Sequence, residues 1–499
     1  MTAGWRPLKA ILGGGFNVPD DVEIADLTLD SRAVRPGAAF LACRGRTQHG
    51  LAYAHDAVAA GARAILWEPA PGVTPPALDA EVLLVAVPEL STQAGFIADR
   101  FFDAPSARLA VAGITGTNGK TTCAWLLAQA LTLCGRPTAY FGTLGVGSTA
   151  AVRSGTHTTP DAVTLHRQLA GQRAAGMTAA AIEVSSHALD QHRCAGVRFH
   201  SAAITNLSRD HLDYHGDMAA YAAAKSQLFD WPTLHSRVVN IDDGFGAELA
   251  ARTRDADSLI LTTRGDALAV PAARYVRAAQ VATDGSGLQL RLQTSWGAGT
   301  VHSTLIGDFN IENLLTVLGL LLALDVPLQA ACAALSQCTP PPGRMQYSGG
   351  GELPLAIIDY AHTPDALDKA LQAARTRTTG RLWCVFGCGG ERDAGKRPQM
   401  GRIAESLADQ VIVTDDNPRG EDPGLITAAI LAGMQQPARA HVIHERAAAI
   451  GSALRAARAG DVVLVAGKGH EDWQWQGGVR RPFSDATVVR DALALRGVA

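Results

Sequence analysis

The segment Gly116-Thr-Asn-Gly-Lys-Thr-Thr122 carries the residue types and spacing that bind nucleotide phosphates. It follows an apolar run of strand length at 109–114 and precedes a stretch of helical periodicity at 121–133. Backbone N–H groups of a glycine turn at a helix N-terminus attract phosphate, while Lys120 can reach the β- and γ-phosphates and Thr121 can bind Mg²⁺. The complete P-loop pattern expects glycine at position 114, where this chain has isoleucine. We interpret 116–122 as a phosphate-binding loop, which names no reaction because kinases, switches and ligases all use one.

Polar residues follow several other predicted strands and indicate where further functional side chains lie. Ser185 follows the run 179–184, Asn206 follows 201–205, and Asp242 follows 238–241. Ligands of parallel α/β sheets bind at the carboxyl ends of the strands. We therefore expect these polar clusters and the phosphate-binding loop to converge on one site.

The elements that position these residues alternate between short apolar strands and helical stretches. This pattern is typical of an α/β fold whose parallel sheets are covered by helices. At ~150 residues per domain, 499 residues predict about three domains, and Thr339-Pro-Pro-Pro-Gly-Arg344 is the best linker candidate. We expect a small N-terminal α/β domain at 1–90, a central P-loop-type parallel-sheet domain at 91–339 and a Rossmann-like C-terminal α/β domain at 340–499.

Composition and charge exclude several classes of protein. With 47% hydrophobic and 18% charged residues, the chain is neither disordered nor fibrous. Its formal net charge of −3 argues against a nucleic-acid partner bound through bulk electrostatics. Eight cysteines are too few for a disulfide scaffold. The apolar run 314–324 is shorter than the ~20 residues of a membrane span, so we expect it to form a core helix. We expect a reduced, cytoplasmic monomer with no membrane insertion and no nucleic-acid partner.

Further motifs accompany the phosphate-binding loop, and together they resemble the Mur ligase family of ATP-dependent enzymes. Mur ligases join an amino acid to a growing peptidoglycan precursor, and the similarity spans nearly the whole chain. The motifs that carry it, in the order of the family, are Asp30-Ser-Arg32, Gly116-Thr-Asn-Gly-Lys-Thr121, Glu183-Val-Ser-Ser-His187, Asn206-Leu-Ser-Arg-Asp-His-Leu-Asp213, Lys225 in Tyr221-Ala-Ala-Ala-Lys225, Gly307-Asp-Phe-Asn310 with Asn313, Gly343-Arg344 and Asp359-Tyr-Ala-His-Thr-Pro364. Three C-terminal segments resemble the members that add diaminopimelate: Gly387-Cys-Gly-Gly-Glu-Arg-Asp393 with Lys396-Arg-Pro398, Asp416-Asn-Pro-Arg419, and Gly467-Lys-Gly-His-Glu471.

The resemblance implies a ligation that uses ATP, UDP-N-acetylmuramoyl-L-alanyl-D-glutamate and meso-diaminopimelate. The γ-phosphoryl group of ATP passes to the D-glutamate γ-carboxylate, because an acyl phosphate offers the attacking amine a good leaving group. The family pattern implies the catalytic residues Lys120, Glu183, His211 and Lys225. It also implies two Mg²⁺ ions, one bound by Thr121 and Glu183 and the other by His211 and Lys225. Lys225 would be carbamylated (N6-carboxylysine), since CO₂ converts a cationic amine into an anionic oxygen ligand.

The resemblance also implies three groups of binding residues. Those for ATP are Gly116, Thr117, Asn118, Gly119, Lys120, Thr121, Thr122, Asn310, Asn313, Arg344 and Asp359. Those for the UDP-substrate are Ser31, Thr158, Thr159, Ser185, Gln191 and Arg193. Those for the amino acid are Arg392, Asp416, Asn417, Pro418, Arg419, Gly467 and Glu471. Gln346 stands where the family usually has glutamate, and the role of His157 is open.

The Asp416-Asn-Pro-Arg419 motif can distinguish incoming amino acids by charge. Diaminopimelate carries a second carboxylate that lysine lacks, and Arg419 can pair with it through two hydrogen bonds while Asn417 binds beside it. Glu471 can bind the neighbouring ammonium group, and Arg392 the α-carboxylate. Lysine would leave Arg419 unpaired, so the discrimination can be large.

Three alternatives stay open from the sequence alone. The first is the same reaction with L-lysine. The second is an amino-acid ligase similar to folylpolyglutamate synthase, against which the Asp30-Ser-Arg32 and Asp416-Asn-Pro-Arg419 motifs speak. The third is a P-loop switch or regulatory binding module without synthesis, and the sequence lacks the guanine-specifying Asn-Lys-x-Asp motif of GTPase switches.

Overall fold

The computed structural model describes residues 4–45, 48–155, 157–253, 255–265, 273–284 and 287–497. Strands and helices alternate along these ranges, and the fold class is α/β, as the sequence predicts. Between residues 4 and 108 the elements are β1 (Arg6–Pro7), α1 (Leu8–Leu12), β2 (Glu23–Ile24), β3 (Asp26–Thr28), β4 (Ala38–Ala42), α2 (Ala54–Ala59), β5 (Ala64–Trp67), β6 (Leu83–Ala86) and α3 (Leu90–Phe101).

The chain continues through the predicted central region with a larger set of elements. They are β7 (Ala110–Thr115), α4 (Lys120–Leu133), β8 (Thr138–Gly142), β9 (Gly145–Ser148), β10 (Ala151–Arg153), α5 (Ala162–Ala174), β11 (Ala179–Glu183), α6 (Ser186–Asp190), β12 (Ser201–Ile204), α7 (Leu212–His215), α8 (Met218–Ser226), β13 (Ser236–Asn240), α9 (Gly244–Arg252), β14 (Leu259–Thr263), β15 (Arg274–Asp284), β16 (Gly287–Thr294), β17 (Gly297–Ser303), α10 (Phe309–Ala323) and α11 (Leu328–Gln337).

The C-terminal elements follow the proline-rich segment. They are β18 (Gln346–Gly349), β19 (Leu355–Asp359), α12 (Pro364–Arg375), β20 (Leu382–Phe386), α13 (Lys396–Leu407), β21 (Gln410–Val413), α14 (Pro423–Leu431), β22 (His441–Val442), α15 (Arg446–Ala456), β23 (Val462–Ala466), β24 (Trp473–Gln476), β25 (Val479–Pro482) and α16 (Asp485–Gly497). Short 3-10 turns lie at Ser31–Ala33, Gly50–Tyr53, Pro105–Arg108, Gln227–Asp230, Ala256–Ser258 and Pro437–Arg439.

Internal contacts divide the chain into two compact units. The first consists of Met1–Thr115, Leu127–Ala203 and Ala224–Arg237, and the second of Gly116–Leu126, Ile204–Ala223 and Val238–Ala499. The phosphate-binding loop belongs to the second unit. The domain boundaries at residues 90 and 339 stay a prediction.

The first unit contains two groups of paired strands. β3, β4, β5 and β6 form a parallel sheet in that order, and its leucines pack in one core with α1 and α3. The second group runs β10-β9-β8-β11-β7-β12, with parallel pairing of β8, β11 and β7. β9 and β10 add antiparallel strands at one edge of the predicted parallel sheet. They run antiparallel because only Thr143 and Leu144 connect β8 to β9, too short a connection for a parallel crossover.

The strands of the second unit that precede residue 304 run β13-β14-β15-β16-β17. β14 and β15 are parallel, whereas β15, β16 and β17 form an antiparallel meander. Helix α10 is buried along almost its whole length, which confirms that the apolar run 314–324 belongs to the core. Over the described part of the chain, no helix combines the length and hydrophobicity of a membrane span.

The C-terminal sheet has helices on both faces. Its order is β18-β19-β23-β20-β21-β22, all parallel except β18. Helices α12, α13 and α14 pack on one face, and α15 and α16 on the other. β19, β20 and β23 are almost fully buried, as expected of strands covered on both sides. The hairpin of β24 and β25 follows β23 and lies outside this sheet.

Candidate active site

Two glycines give the phosphate-binding loop its shape. Gly116 and Gly119 have φ angles of 139° and 87°, in the left-handed region that favours glycine. A Cβ on Gly116 would lie 1.9 Å from Oγ1 of Thr205, and one on Gly119 would lie 2.4 Å from Oδ1 of Asn313. The loop therefore packs so closely against two polar side chains that only glycine fits at these positions.

Asn206 and its neighbours anchor this loop. The backbone N–H of Asn118 donates to Oδ1 of Asn206 (3.0 Å), and that of Thr117 donates to the Asn206 carbonyl (2.9 Å). Oγ1 of Thr205 donates to the Asn118 carbonyl (2.6 Å), and the hydroxyls of Thr117 and Tyr221 are 3.2 Å apart. The polar cluster predicted after 201–205 thus meets the phosphate-binding loop.

Two cationic side chains lie at the loop. Lys120 is the first residue of α4, and its Nζ donates to two carbonyl oxygens of the loop (2.8 and 2.9 Å). Arg344 donates through Nη2 to Oγ1 of Thr121 (3.0 Å), and its Cζ lies 4.5 Å from the centre of the Tyr360 ring. The structure therefore brings Arg344, which is more than 200 residues away in the sequence, to the residue predicted to bind Mg²⁺.

The other residues assigned to ATP are buried. Nδ2 of Asn313 donates to Oδ1 of Asn310, and Nδ2 of Asn310 donates to a backbone carbonyl, both at 2.8 Å. Asp359 ends β19, and its carboxylate accepts the N–H of Met345 (2.8 Å). Burial raises the pKa of Asp359, and the guanidinium of Arg344 opposes that shift. Asn313 lies against the phosphate-binding loop through its contact with Gly119.

A buried charge cluster surrounds Asp210, a residue of the 206–213 motif for which the family resemblance implies no role. Its carboxylate accepts the N–H of His211 (2.9 Å) and lies 3.9 Å from Nε2 of His362. Burial alone would raise the pKa of Asp210, but His211, His362 and Lys396 lower it to about 2. Burial and Lys396 lower the pKa of His362 to about 4. His362 and Lys396 were not predicted as site residues, although they lie in the motifs Asp359-Tyr-Ala-His-Thr-Pro364 and Lys396-Arg-Pro398.

Glu183 is held rigidly at the end of β11. Its side chain is fully buried, and Oε1 accepts the hydroxyl of Tyr140 (2.5 Å) and the N–H of Thr143 (3.0 Å). Oε2 accepts the hydroxyl of Thr143 (3.2 Å). Gly142 leaves the space that this carboxylate needs, since a Cβ there would lie 2.0 Å from Oε1. Glu183 is therefore not an ordinary surface carboxylate at the end of a strand.

Lys225 is buried as well. Only 1% of the residue is exposed, although it lies near the end of the nine-residue helix α8. Lysine is almost never fully buried unless its charge is compensated or removed. Lys225 is therefore not a solvated lysine on a helix surface, and its modification stays a prediction.

Most residues assigned to the UDP-substrate form one network next to Glu183. Arg193 donates to Oε1 of Gln191 (2.6 and 3.0 Å) and to the Thr159 carbonyl (2.9 Å). The Thr159 hydroxyl donates to the Glu183 carbonyl (2.7 Å) and accepts the N–H of Ser185 (3.1 Å).

Thr158 and His157 lie beside this network, whereas Ser31 is not hydrogen-bonded to it within the described part of the chain. Thr158 joins it through the hydroxyl of Thr143 (3.0 Å). His157 has its pKa lowered by burial and by Arg193. Ser31 opens the turn Ser31–Ala33, and no hydrogen bond among the described residues links it to this network.

The residues assigned to the amino acid lie together in the second unit. Nδ2 of Asn417 donates to Oε2 of Glu471 (2.9 Å), and Nη1 of Arg419 donates to the Gly390 carbonyl. Burial lowers the pKa of Arg419, and the positive charge of Arg392 lowers it further. Gly467, with φ at 113°, follows β23 directly.

The hairpin β24–β25, which was not among the predicted elements, holds the loop that carries Asn417 and Arg419. The N–H of Arg419 donates to the Trp475 carbonyl (2.9 Å), and the N–H of Gly477 donates to the Arg419 carbonyl (2.7 Å). The N–H of Trp475 also donates to Oδ1 of Asn417 (3.0 Å). The alternation Trp-Gln-Trp-Gln before Gly477-Gly478 is the signal that could have revealed a hairpin.

Within the described ranges, no three His, Cys, Asp or Glu side chains cluster as a metal site. The predicted Mg²⁺ ligands include Thr121 and a modified Lys225, which are not among these four residue types. The assignment of these ligands therefore stays a prediction.

The phosphate-binding loop and the parallel strands are typical of nucleotide-binding α/β enzymes, and three family models of ligases match the chain. They are the Mur ligase family catalytic domain at 23–101, the Mur ligase middle domain at 114–321 and the Mur ligase glutamate ligase domain at 343–469. The chain belongs to the Mur ligase family, which confirms the resemblance seen in the motifs.

Individual relatives show which members of the family this chain is similar to. The chain is 50% identical over 473 residues to the UDP-N-acetylmuramoyl-L-alanyl-D-glutamate--2,6-diaminopimelate ligase of Ectopseudomonas mendocina, covering 95% of this chain and 96% of the relative. A solved structure of a ligase of the same name is 34% identical, covers 100% of both chains and has a TM-score of 0.69. The MurF ligase from Thermotoga maritima in complex with ADP is 16% identical, covers 95% of this chain and 98% of its own, and shares the fold with a TM-score of 0.65.

Proposed function

We propose that this protein adds meso-diaminopimelate to the D-glutamate γ-carboxyl of UDP-N-acetylmuramoyl-L-alanyl-D-glutamate, with hydrolysis of ATP to ADP and phosphate. The observation that supports it most directly is the cluster of Asn417, Glu471 and Arg419, which assembles the groups expected to recognise diaminopimelate. The names of relatives 50% identical over 95% of the chain agree with this substrate. We place the enzyme in the cytoplasm as a monomer.

The first half of the reaction makes an acyl phosphate. The γ-carboxylate of the UDP-substrate attacks the γ-phosphorus of ATP, and ADP leaves. Lys120 and Arg344 both contact the phosphate-binding loop, so we assign them to the negative charge that builds up on the phosphates. Arg193, held by Gln191 and Thr159, is the cation we assign to the anionic UDP-substrate.

Mg²⁺ would be held by Thr121, Glu183, His211 and carbamylated Lys225. Bound there, it would neutralise charge on the triphosphate and on the acceptor carboxylate. The donor chemistry fits, because Mg²⁺ prefers oxygen ligands and a fixed carboxylate is available at Glu183. An unmodified lysine would repel the ion, so the modification of Lys225 is part of the same proposal.

The second half of the reaction forms the new amide. The amine of diaminopimelate attacks the acyl carbon, inorganic phosphate leaves, and a proton is lost from the nitrogen. Arg419 and Asn417 bind the distal carboxylate, Glu471 the distal ammonium and Arg392 the α-carboxylate. These contacts hold the attacking amine in place, and an oriented reactant accelerates the step without any new covalent chemistry from the protein.

The test is ATP-dependent phosphate release with the UDP-substrate and one amino acid at a time. We expect release with meso-diaminopimelate and little with L-lysine. Equal or greater release with L-lysine would refute the assigned specificity. Release with a folate and L-glutamate but not with the UDP-substrate would indicate the folylpolyglutamate synthase alternative, and no amino-acid-dependent release would indicate a switch or binding module.

A further inference from the structure

Lys468 is a fully buried lysine that no role assigned so far requires. None of its side chain is exposed, and it lies between Gly467 and Gly469 in the turn after β23. A lysine ammonium in a protein interior is costly unless charged and polar groups compensate it. The residues that contact its ammonium therefore indicate which role the buried Lys468 has.

Three residues of the amino-acid cluster surround the Lys468 ammonium. Nζ donates to Oδ1 of Asn417 (3.0 Å) and to Oε2 of Glu471 (2.9 Å), and it lies 3.6 Å from Oδ1 of Asp416. Asn417 in turn donates to the same Oε2 of Glu471 (2.9 Å). Lys468, Asn417 and Glu471 thus form a closed triangle of hydrogen bonds.

This triangle fixes the orientation of the Asn417 amide. Oδ1 accepts from Lys468 and from the N–H of Trp475 (3.0 Å), so the amide oxygen must face these two donors. Nδ2 is directed to Glu471 by the same constraint. The Asn417 side chain is therefore preset before any amino acid binds.

The triangle also leaves specific acceptor atoms for a ligand. Oε2 of Glu471 is occupied by two donors, whereas Oε1 of Glu471 and Oδ1 of Asp416 accept no hydrogen bond from the described residues. Buried polar atoms are normally hydrogen-bonded, so these two carboxylate oxygens indicate a ligand that has several N–H donors. Asp416 and Glu471 place two carboxylates around the single ammonium of Lys468, and a substrate ammonium can balance the second one.

We propose that Lys468 is a positioning residue for amino-acid recognition. Its ammonium holds Oε2 of Glu471 and Oδ1 of Asn417, so that Glu471 stays ionised and its Oε1 binds the distal ammonium of diaminopimelate. The inference rests on the proposed function, because it acts through two residues assigned to the amino acid.

The charges around Glu471 support this role. Burial and Asp416 raise the pKa of Glu471, and Lys468 is the strongest group that opposes them. Among the described residues, Tyr360, Arg419 and Arg446 also interact electrostatically with Glu471. Removing the Lys468 charge therefore raises the pKa of Glu471 further and favours a protonated carboxyl that cannot attract an ammonium group.

The test is a double-mutant cycle of Lys468→Met and Glu471→Gln with full kinetics for all three substrates. We expect Lys468→Met to raise the KM for diaminopimelate about tenfold or more, with the KM values for ATP and the UDP-substrate within about twofold of wild type. The double variant should be no worse than Glu471→Gln, because the lysine acts through the carboxylate. Lys9→Met, which removes an exposed lysine paired with Asp20, is the matched control.

The pH profile separates positioning from a merely structural role. The acid limb of kcat/KM for diaminopimelate should move to higher pH in Lys468→Met, because protonated Glu471 binds poorly, and should vanish in Glu471→Gln. Additive effects in the cycle, or an unmoved acid limb with all three KM values raised, would overturn the inference. If Lys468→Met does not fold, Lys468→Gln replaces it in the cycle. A wild-type protein inactive with diaminopimelate refutes the proposed function, whereas an active wild type with an additive cycle refutes only the role of Lys468.

Discussion

Replacing Arg419 with alanine isolates the recognition of the distal carboxylate. Arg419 has a positive φ of 56°, and its backbone is fixed on both sides by the hairpin β24–β25. Alanine meets the same backbone requirement as arginine, so the substitution removes the guanidinium without adding strain. The change therefore tests binding more than folding.

The size of the effect follows from the charges involved. Truncating one partner of a partly buried, hydrogen-bonded charge pair costs about 2–5 kcal/mol. Arg419 is half-buried, so we expect a loss in the lower part of this range, about 3 kcal/mol. Because about 1.4 kcal/mol corresponds to a factor of ten, the KM for diaminopimelate should rise about 100-fold.

The assay is phosphate release with each substrate varied in turn. The KM values for ATP and the UDP-substrate should stay close to wild type, and L-lysine should lose far less than diaminopimelate. Arg481→Ala removes a guanidinium from the exposed strand β25 and serves as the control. Equal losses for all three substrates, or an equal loss for L-lysine and diaminopimelate, would refute the specificity role of Arg419.

Three further predictions concern other parts of the molecule. Gly119→Ala places a Cβ 2.4 Å from Oδ1 of Asn313, so we expect it to destabilise the fold by about 1–3 kcal/mol and to lower the Tm in thermal unfolding. It should also weaken ATP binding, which a nucleotide titration measures. Lys225 should show a carbamate carbon resonance in enzyme equilibrated with ¹³C-bicarbonate, absent from Lys225→Arg; active wild-type enzyme without that resonance would contradict the modification. Arg446→Met leaves Asp485 buried without its partner and should lower the free energy of unfolding in denaturant by about 3–5 kcal/mol. The double variant Arg446→Met/Asp485→Leu should recover most of that loss. A loss below about 1 kcal/mol in the single variant would contradict the argument.

Local patterns in the sequence determined the fold class, the phosphate-binding loop and the residue types of the site. Gly116 to Thr122 could be interpreted without a structure because phosphate binding there depends on backbone N–H groups and one adjacent lysine. The run 314–324 was assigned to the core because its length excluded a membrane span, and α10 is buried as expected. The order of the parallel strands was not accessible, because strands that pair in parallel lie far apart in the chain.

Only the tertiary structure decided which polar residues are buried and what they face. Lys225 and Lys468 look like ordinary lysines in the sequence, yet packing removes both from solvent. The contact of Arg344 with Thr121, the charge cluster of His362 and the support of Arg419 by the hairpin likewise join residues far apart in the chain. The physical reason is that burial and electrostatic environment are set by contacts across the fold, whereas the sequence fixes only the chemistry each side chain carries into them.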